Sequence, residues 1–148
     1  MVINMKYMAL LAIMIAFQAT LAKDEINPDG IMQSAYLECQ NLGGEAKAIQ
    51  MIRGDDHPTL EQILVNLETY IADEFPDGQK KQPLFIARIR EVGKWVFYHF
   101  ESDFDPELVG TTYETECTDK TMKQIVTMFP NIEGGKMDQK MKAWESTR

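Results

Sequence analysis

The sequence predicts an all-α fold, a single small helical domain of four to five helices closed by one disulfide. Three observations carry this prediction. Apolar residues recur every three or four positions through successive segments, helix-start signals stand ahead of those segments, and the two cysteines, Cys39 and Cys117, fall on the inner faces of the predicted first and fourth helices.

The chain opens with a cation, Lys6, followed by uncharged Tyr7 to Phe17, which is almost wholly Met, Ala, Leu and Ile. Small Thr20 and Ala22 then precede charged Lys23-Asp24-Glu25. This is the order of a signal peptide over residues 1–22, with cleavage after Ala22. The apolar run is about half the roughly twenty residues that span a bilayer. The expectation is export to the periplasm or beyond a bacterial cell, with no stable membrane insertion after cleavage. Residues 23–130 are expected to form the helical domain, and 131–148 a short C-terminal helix or a mobile tail.

From Met32 to Arg53 the residues Ala35, Cys39, Leu42, Ala46, Ile49 and Ile52 share one helical face, which turns Cys39 toward the core. Gly43-Gly44 interrupts this stretch at about 1 kcal/mol per glycine relative to alanine, and marks a kink or a tight helix contact. Gly54 is the expected stop. After the turn Asp55-Asp56-His57-Pro58, Thr59-Leu60-Glu61-Gln62 has the form of a capping box. The stripe Leu60, Ile63, Leu64, Leu67 and Ile71 makes the second helix, and Phe75-Pro76-Asp77-Gly78 ends it.

A third helix runs from Leu84 to Phe100 behind Pro83, with Phe85, Ile89, Val92 and Val96 inward. Its aromatic and β-branched end, Trp95 to Phe100, also fits a strand. Asp105-Pro106-Glu107 reads as an N-cap, an N1 proline and a first-turn acid opening a fourth helix through Cys117, with Val109, Tyr113 and Cys117 inside. Met122, Ile125, Val126 and Phe129 predict a fifth helix over Thr118 to Phe129, stopped by Pro130.

The chain carries 15 basic and 23 acidic residues, a net charge of −8, and loses only Lys6 with the signal, which takes it to −9. Such a surface repels phosphate backbones and anionic membranes, so no nucleic-acid partner is expected. Two cysteines in an exported chain pair by default. Closing so long a loop is worth about 4.5 kcal/mol on the chain-entropy account. With no Cys-x-x-Cys pair and no partner base, a reactive thiol is not indicated.

Glu101, Asp103, Asp105 and Glu107 form the densest run of carboxylates, but no register of an EF-hand loop fits: position six falls on Pro106 or Leu108 where glycine is required. His57 and His99 lack ligand-spaced partners for zinc, and His99 has no positioned nucleophile beside it. No nucleophile elbow, phosphate loop or dinucleotide fingerprint occurs. No catalytic residue, cofactor or metal is therefore assigned, and a non-catalytic protein is expected. Trp95, Phe97, Tyr98 and Phe100 cannot all face one side of a helix, because neighbours lie about 100° apart around its axis. They are the candidate partner-binding residues, against the competing reading of a helix buried around most of its circumference.

The run Cys39 to Arg53, of the form Cys-x6-Ala-x-x-Ile-Gln-x-x-Arg, and the later Tyr113-x-x-x-Cys117 resemble a loose group of small exported bacterial helical proteins. The resemblance spans Tyr36 to about Thr118 and implies a disulfide-bonded helical framework outside the cytoplasm, without catalytic residues. In architecture alone the chain is similar to HdeA-type acid-stress chaperones, and to periplasmic immunity proteins that block peptidoglycan amidases delivered by type VI secretion. The expected function is contact with another envelope or secreted protein, as an inhibitor, immunity or accessory factor. An acid-stress chaperone is the alternative, and an envelope hydrolase the third reading.

Overall fold

A computed structural model describes residues 28–75 and 82–128. The expected signal peptide, residues 76–81 between the second and third helices, and the C-terminal stretch 131–148 lie outside the described residues. Within them are four helices and no strand: α1 (Pro28–Asp56), α2 (Leu60–Glu74), α3 (Gln82–His99) and α4 (Pro106–Met128).

Helix α1 is the centre of the domain. Its apolar stripe Ala46, Ile49 and Ile52 is buried against Ile63, Leu64, Leu67 and Ile71 of α2, Phe85, Ile89, Val92 and Val96 of α3, and Val109 of α4. A second stripe, Cys39, Gly43, Lys47 and Gln50, faces α4. As numbers rise along α1 they fall along α4 and the turn before it: Cys39 bonds Cys117, Gly43 meets Gly110, Lys47 pairs with Glu107, and Gln50 reaches Phe104. The two helices are therefore antiparallel. Burial on two faces explains why α1 lacks one clean apolar side.

The double glycine resolves into a tight helix contact. A Cβ on Gly43 would stand 2.8 Å from the Gly110 carbonyl oxygen, and a Cβ on Gly110 would stand 2.9 Å from that of Gly43. Only two glycines let these backbones come so close. Beyond the disulfide, α1 and α4 carry a small core of their own: Met122 and Ile125 are buried, with Ile31, Met32, Ala35 and Tyr36 half-covering them. Cys39–Cys117, with Cα atoms 5.5 Å apart, closes the chain where this two-helix arm joins the main core.

Two boundaries differ from the sequence reading. Helix α1 passes through Gly54 to Asp56 and ends in a left-handed residue, His57 (φ 48°), whose N–H donates to the Arg53 carbonyl at 3.2 Å. The side-chain-free Gly54 stays helical because its Cα faces the α3–α4 turn, where a Cβ would meet the Ser102 carbonyl oxygen at 3.3 Å. The expected fourth and fifth helices are one. The helix runs straight through Thr118, which is fully buried and whose hydroxyl donates to the Glu114 carbonyl one turn back, 2.7 Å away. The other signals are realised directly. Thr59 and Gln62 form the reciprocal capping box, with distances of 3.3 and 2.8 Å, and Asp105 accepts from the Glu107 N–H at 2.9 Å. The aromatic end of α3 is helical through His99.

Gly43→Ala and Gly110→Ala should each lose about 1–3 kcal/mol in denaturant unfolding despite the better helix propensity of alanine, because backbone must move aside. Gly30→Ala, with nothing within 4 Å of the added Cβ, should be neutral or slightly stabilising. Removing the disulfide with Cys39→Ser/Cys117→Ser should cost about 2–5 kcal/mol. Hydrogen exchange should then rise first in the arm, at Ile31–Tyr36 and Met122–Ile125, and later at Ile49 and Ile63.

Candidate interaction surface

At one end of the domain α3 turns into α4 through Phe100 to Asp105, and this turn is held from beneath by α1. Gln50 is fully buried, and its Nε2 donates to the carbonyls of Glu101 (2.7 Å) and Phe104 (3.1 Å). One turn on, the Arg53 guanidinium donates to the Phe100 carbonyl and lies over the Phe97 ring, 4.3 Å from its centroid. Three carbonyls that follow the end of α3 thus receive side-chain donors from one α1 face, which fixes the turn.

The rings around the turn form a connected ladder. Tyr98 stacks edgewise on His99 (4.9 Å), His99 lies against Trp95 (4.8 Å), Trp95 touches Phe100 (5.4 Å), and Phe100 touches Phe104 (4.9 Å). Tyr113 of α4 meets Trp95 in a T-shaped contact at 4.8 Å. The four aromatic residues singled out from the sequence divide accordingly. Trp95, Phe97 and Phe100 pack half-buried against the main core. Tyr98 is 85% exposed, and Phe104 and Leu108, which the sequence reading did not single out, are 39% and 51% exposed. The exposed carboxylates of Glu101, Asp103, Asp105 and Glu107 alternate with these apolar residues.

On the adjoining face of α4 a groove of about 740 Å³ is lined by Trp95, Tyr113, Glu116, Cys117, Lys120 and Gln124, among others. Cys117 reaches it half-covered, whereas Cys39 is buried. Groove and turn share Trp95.

The two histidines are not brought together. His57 ends α1, while His99 ends α3 with Nδ1 2.8 Å from the Trp95 carbonyl; a carbonyl only accepts, so the proton sits on Nδ1. Among the described residues no group of three or more His, Cys, Asp or Glu side chains is placed to hold a metal ion. No described helix is long and apolar enough to cross a membrane.

Sequence reasoning missed one buried cluster. Glu45 of α1 is fully buried and pairs with Arg88 of α3, which also donates to Glu38 at 2.9 Å. Glu45 Oε2 and Arg88 Nε have no hydrogen-bond partner. Burial pushes the Glu45 carboxyl up to about 7, with Arg88 opposing and Glu38 adding to the rise. Burial, then the charge of Glu45, also raises the Tyr113 hydroxyl. Desolvation outweighs the ion pair here, as expected where only part of the lone-pair capacity is met. Glu45 gave no sequence signal because an acid on a helix is ordinarily solvated, and the partner that buries it, Arg88, lies 43 residues away on α3. Gln50 and Arg53 did give one, as the polar positions of the Ile-Gln-x-x-Arg pattern.

Comparison with protein-family models, with curated proteins and with solved structures gave no match.

Because Glu45 titrates higher in the folded chain than in the unfolded one, folding takes up a proton between about pH 4.5 and 7. Its contribution therefore grows as pH falls through that window and is constant below it. Relative to Glu45→Gln, the native protein should gain on the order of 1–3 kcal/mol between pH 7 and 4.5, read from paired denaturant curves.

Proposed function

We propose that this protein is an exported, non-catalytic binding protein of the bacterial envelope, which acts by protein contact as an inhibitor, immunity or accessory factor. The observation that carries this reading is the pinned α3–α4 turn, which presents Tyr98, Phe104 and Leu108 among carboxylates on backbone held by Gln50 and Arg53. A surface ordered before the partner arrives loses little entropy on binding, and aromatic residues are the usual anchors of such contacts. Export is supported by the signal-like residues 1–22 and by the Cys39–Cys117 disulfide, which persists in an oxidising compartment.

The acid-chaperone alternative needs a fold that loosens as pH falls. Glu45 works against this in mild acid, since protonation relieves the cost of burying its charge.

A photoreactive residue in place of Tyr98, activated in intact cell envelope, tests the proposal. One dominant partner captured at this position, absent from a probe at Glu68 on α2 and lost in Cys39→Ser/Cys117→Ser, is the expected result. The same diffuse set of proteins at both positions, or none, overturns it.

A further inference from the structure

Resting on that reading of the turn, we propose that the partner docks through an arginine-bearing protein segment laid across Tyr98, Phe104 and the Glu101–Asp105 turn. Charge gives the first reason. From Trp95 to Asp119 the chain has seven carboxylates and no Lys or Arg. The neighbouring cations are engaged elsewhere: Lys47 with Glu107, Lys94 with Glu91 at 2.7 Å, and Arg53 with the Phe100 carbonyl and the Phe97 ring. Glu101 and Asp103 have no ion-pair partner among the described residues.

The second reason is independent of charge. Tyr98 and Phe104 leave ring surface open, Phe104 next to Asp103 in the chain and Tyr98 three residues before Glu101. A guanidinium satisfies both features, stacking flat on a ring while donating two parallel hydrogen bonds to a carboxylate; an ammonium, a compact and strongly hydrated charge, does so less well. The domain already uses this mode internally at Arg88, which lies 5.6 Å above Phe85 while paired to Glu45; Arg53 shows the stacking alone, over Phe97, and donates to a carbonyl. An apolar partner would strip water from Glu101 and Asp103 without replacing it, at a cost of several kcal/mol per fully buried ion.

The test titrates the isotope-labelled, oxidised protein with a short arginine–glycine peptide, and with lysine–glycine and glutamate–glycine peptides of equal length. Expected are amide shifts confined to residues 97–108, with arginine binding tightest and glutamate not binding. Tyr98→Ala, which changes no charge at an exposed site, should weaken the arginine peptide about three- to tenfold. Glu101→Gln/Asp103→Asn should weaken it by a similar factor, whereas Glu68→Gln/Asp73→Asn, the same loss of charge on α2, should change it less than twofold. Equal weakening by the α2 pair, no effect of Tyr98→Ala, spermidine competing as well as the peptide, or no binding overturns the proposal. If the Tyr98 probe still captures one envelope partner when the peptides fail, only the arginine assignment falls; if both fail, the contact reading falls with it.

Discussion

The backbone contact between Gly43 and Gly110 is the constraint on which the rest of the structure depends. Each Cα faces the other helix's carbonyl oxygen at a distance that no β-carbon tolerates, so α1 and α4 are fixed in separation and in register. With that register set, the α1 face continues from glycine to Lys47, Gln50 and Arg53, and these meet Glu107, the 101–104 turn and the Phe100 carbonyl in order. The disulfide acts in a different way. It holds the same pair of helices one turn or so further along, chiefly by limiting the unfolded chain, and closes the base of an arm whose own core of two buried side chains is too small to stand alone.

Charge has two roles in this domain. The exposed pairs Lys47–Glu107, Arg90–Glu61 and Lys94–Glu91 are each worth a few tenths of a kcal/mol to about one. The Glu45–Arg88 pair is of another kind. Its carboxylate is out of water with one oxygen unpartnered, and its elevated proton affinity says that desolvation exceeds attraction. Such a pair adds little net stability, yet separating its members would leave a lone buried charge, so it penalises any slip of α3 along α1. Geometry is thus specified twice, by glycine between α1 and α4 and by charge between α1 and α3.

Much of this was legible in the sequence. The α2 capping box, the apolar stripes of α2 and α3, the proline start of α4 and the inward cysteines were all read from local pattern, because each is a contact within one turn or follows from helical periodicity. What escaped depends on the partner helix. Gly54 resembles a stop until Ser102 is seen above it, and the fourth and fifth stripes read as two helices until both are seen packed along α1 as one. The aromatic run could be divided only by knowing where α1 and α4 lie: Trp95, Phe97 and Phe100 turn toward them, and Tyr98 does not. Gln50 and Arg53 were visible as a pattern without a purpose, and the turn they hold supplies it.

If α1 positions the α3–α4 turn, amide hydrogen exchange on a Gln50→Ala variant will show it. Protection should fall by at least tenfold at Phe100 and Phe104, whose N–H groups donate to the Val96 and Glu101 carbonyls, while α2 and the body of α3 keep theirs. Unchanged exchange at both amides would mean that α3 and α4 hold the turn without α1.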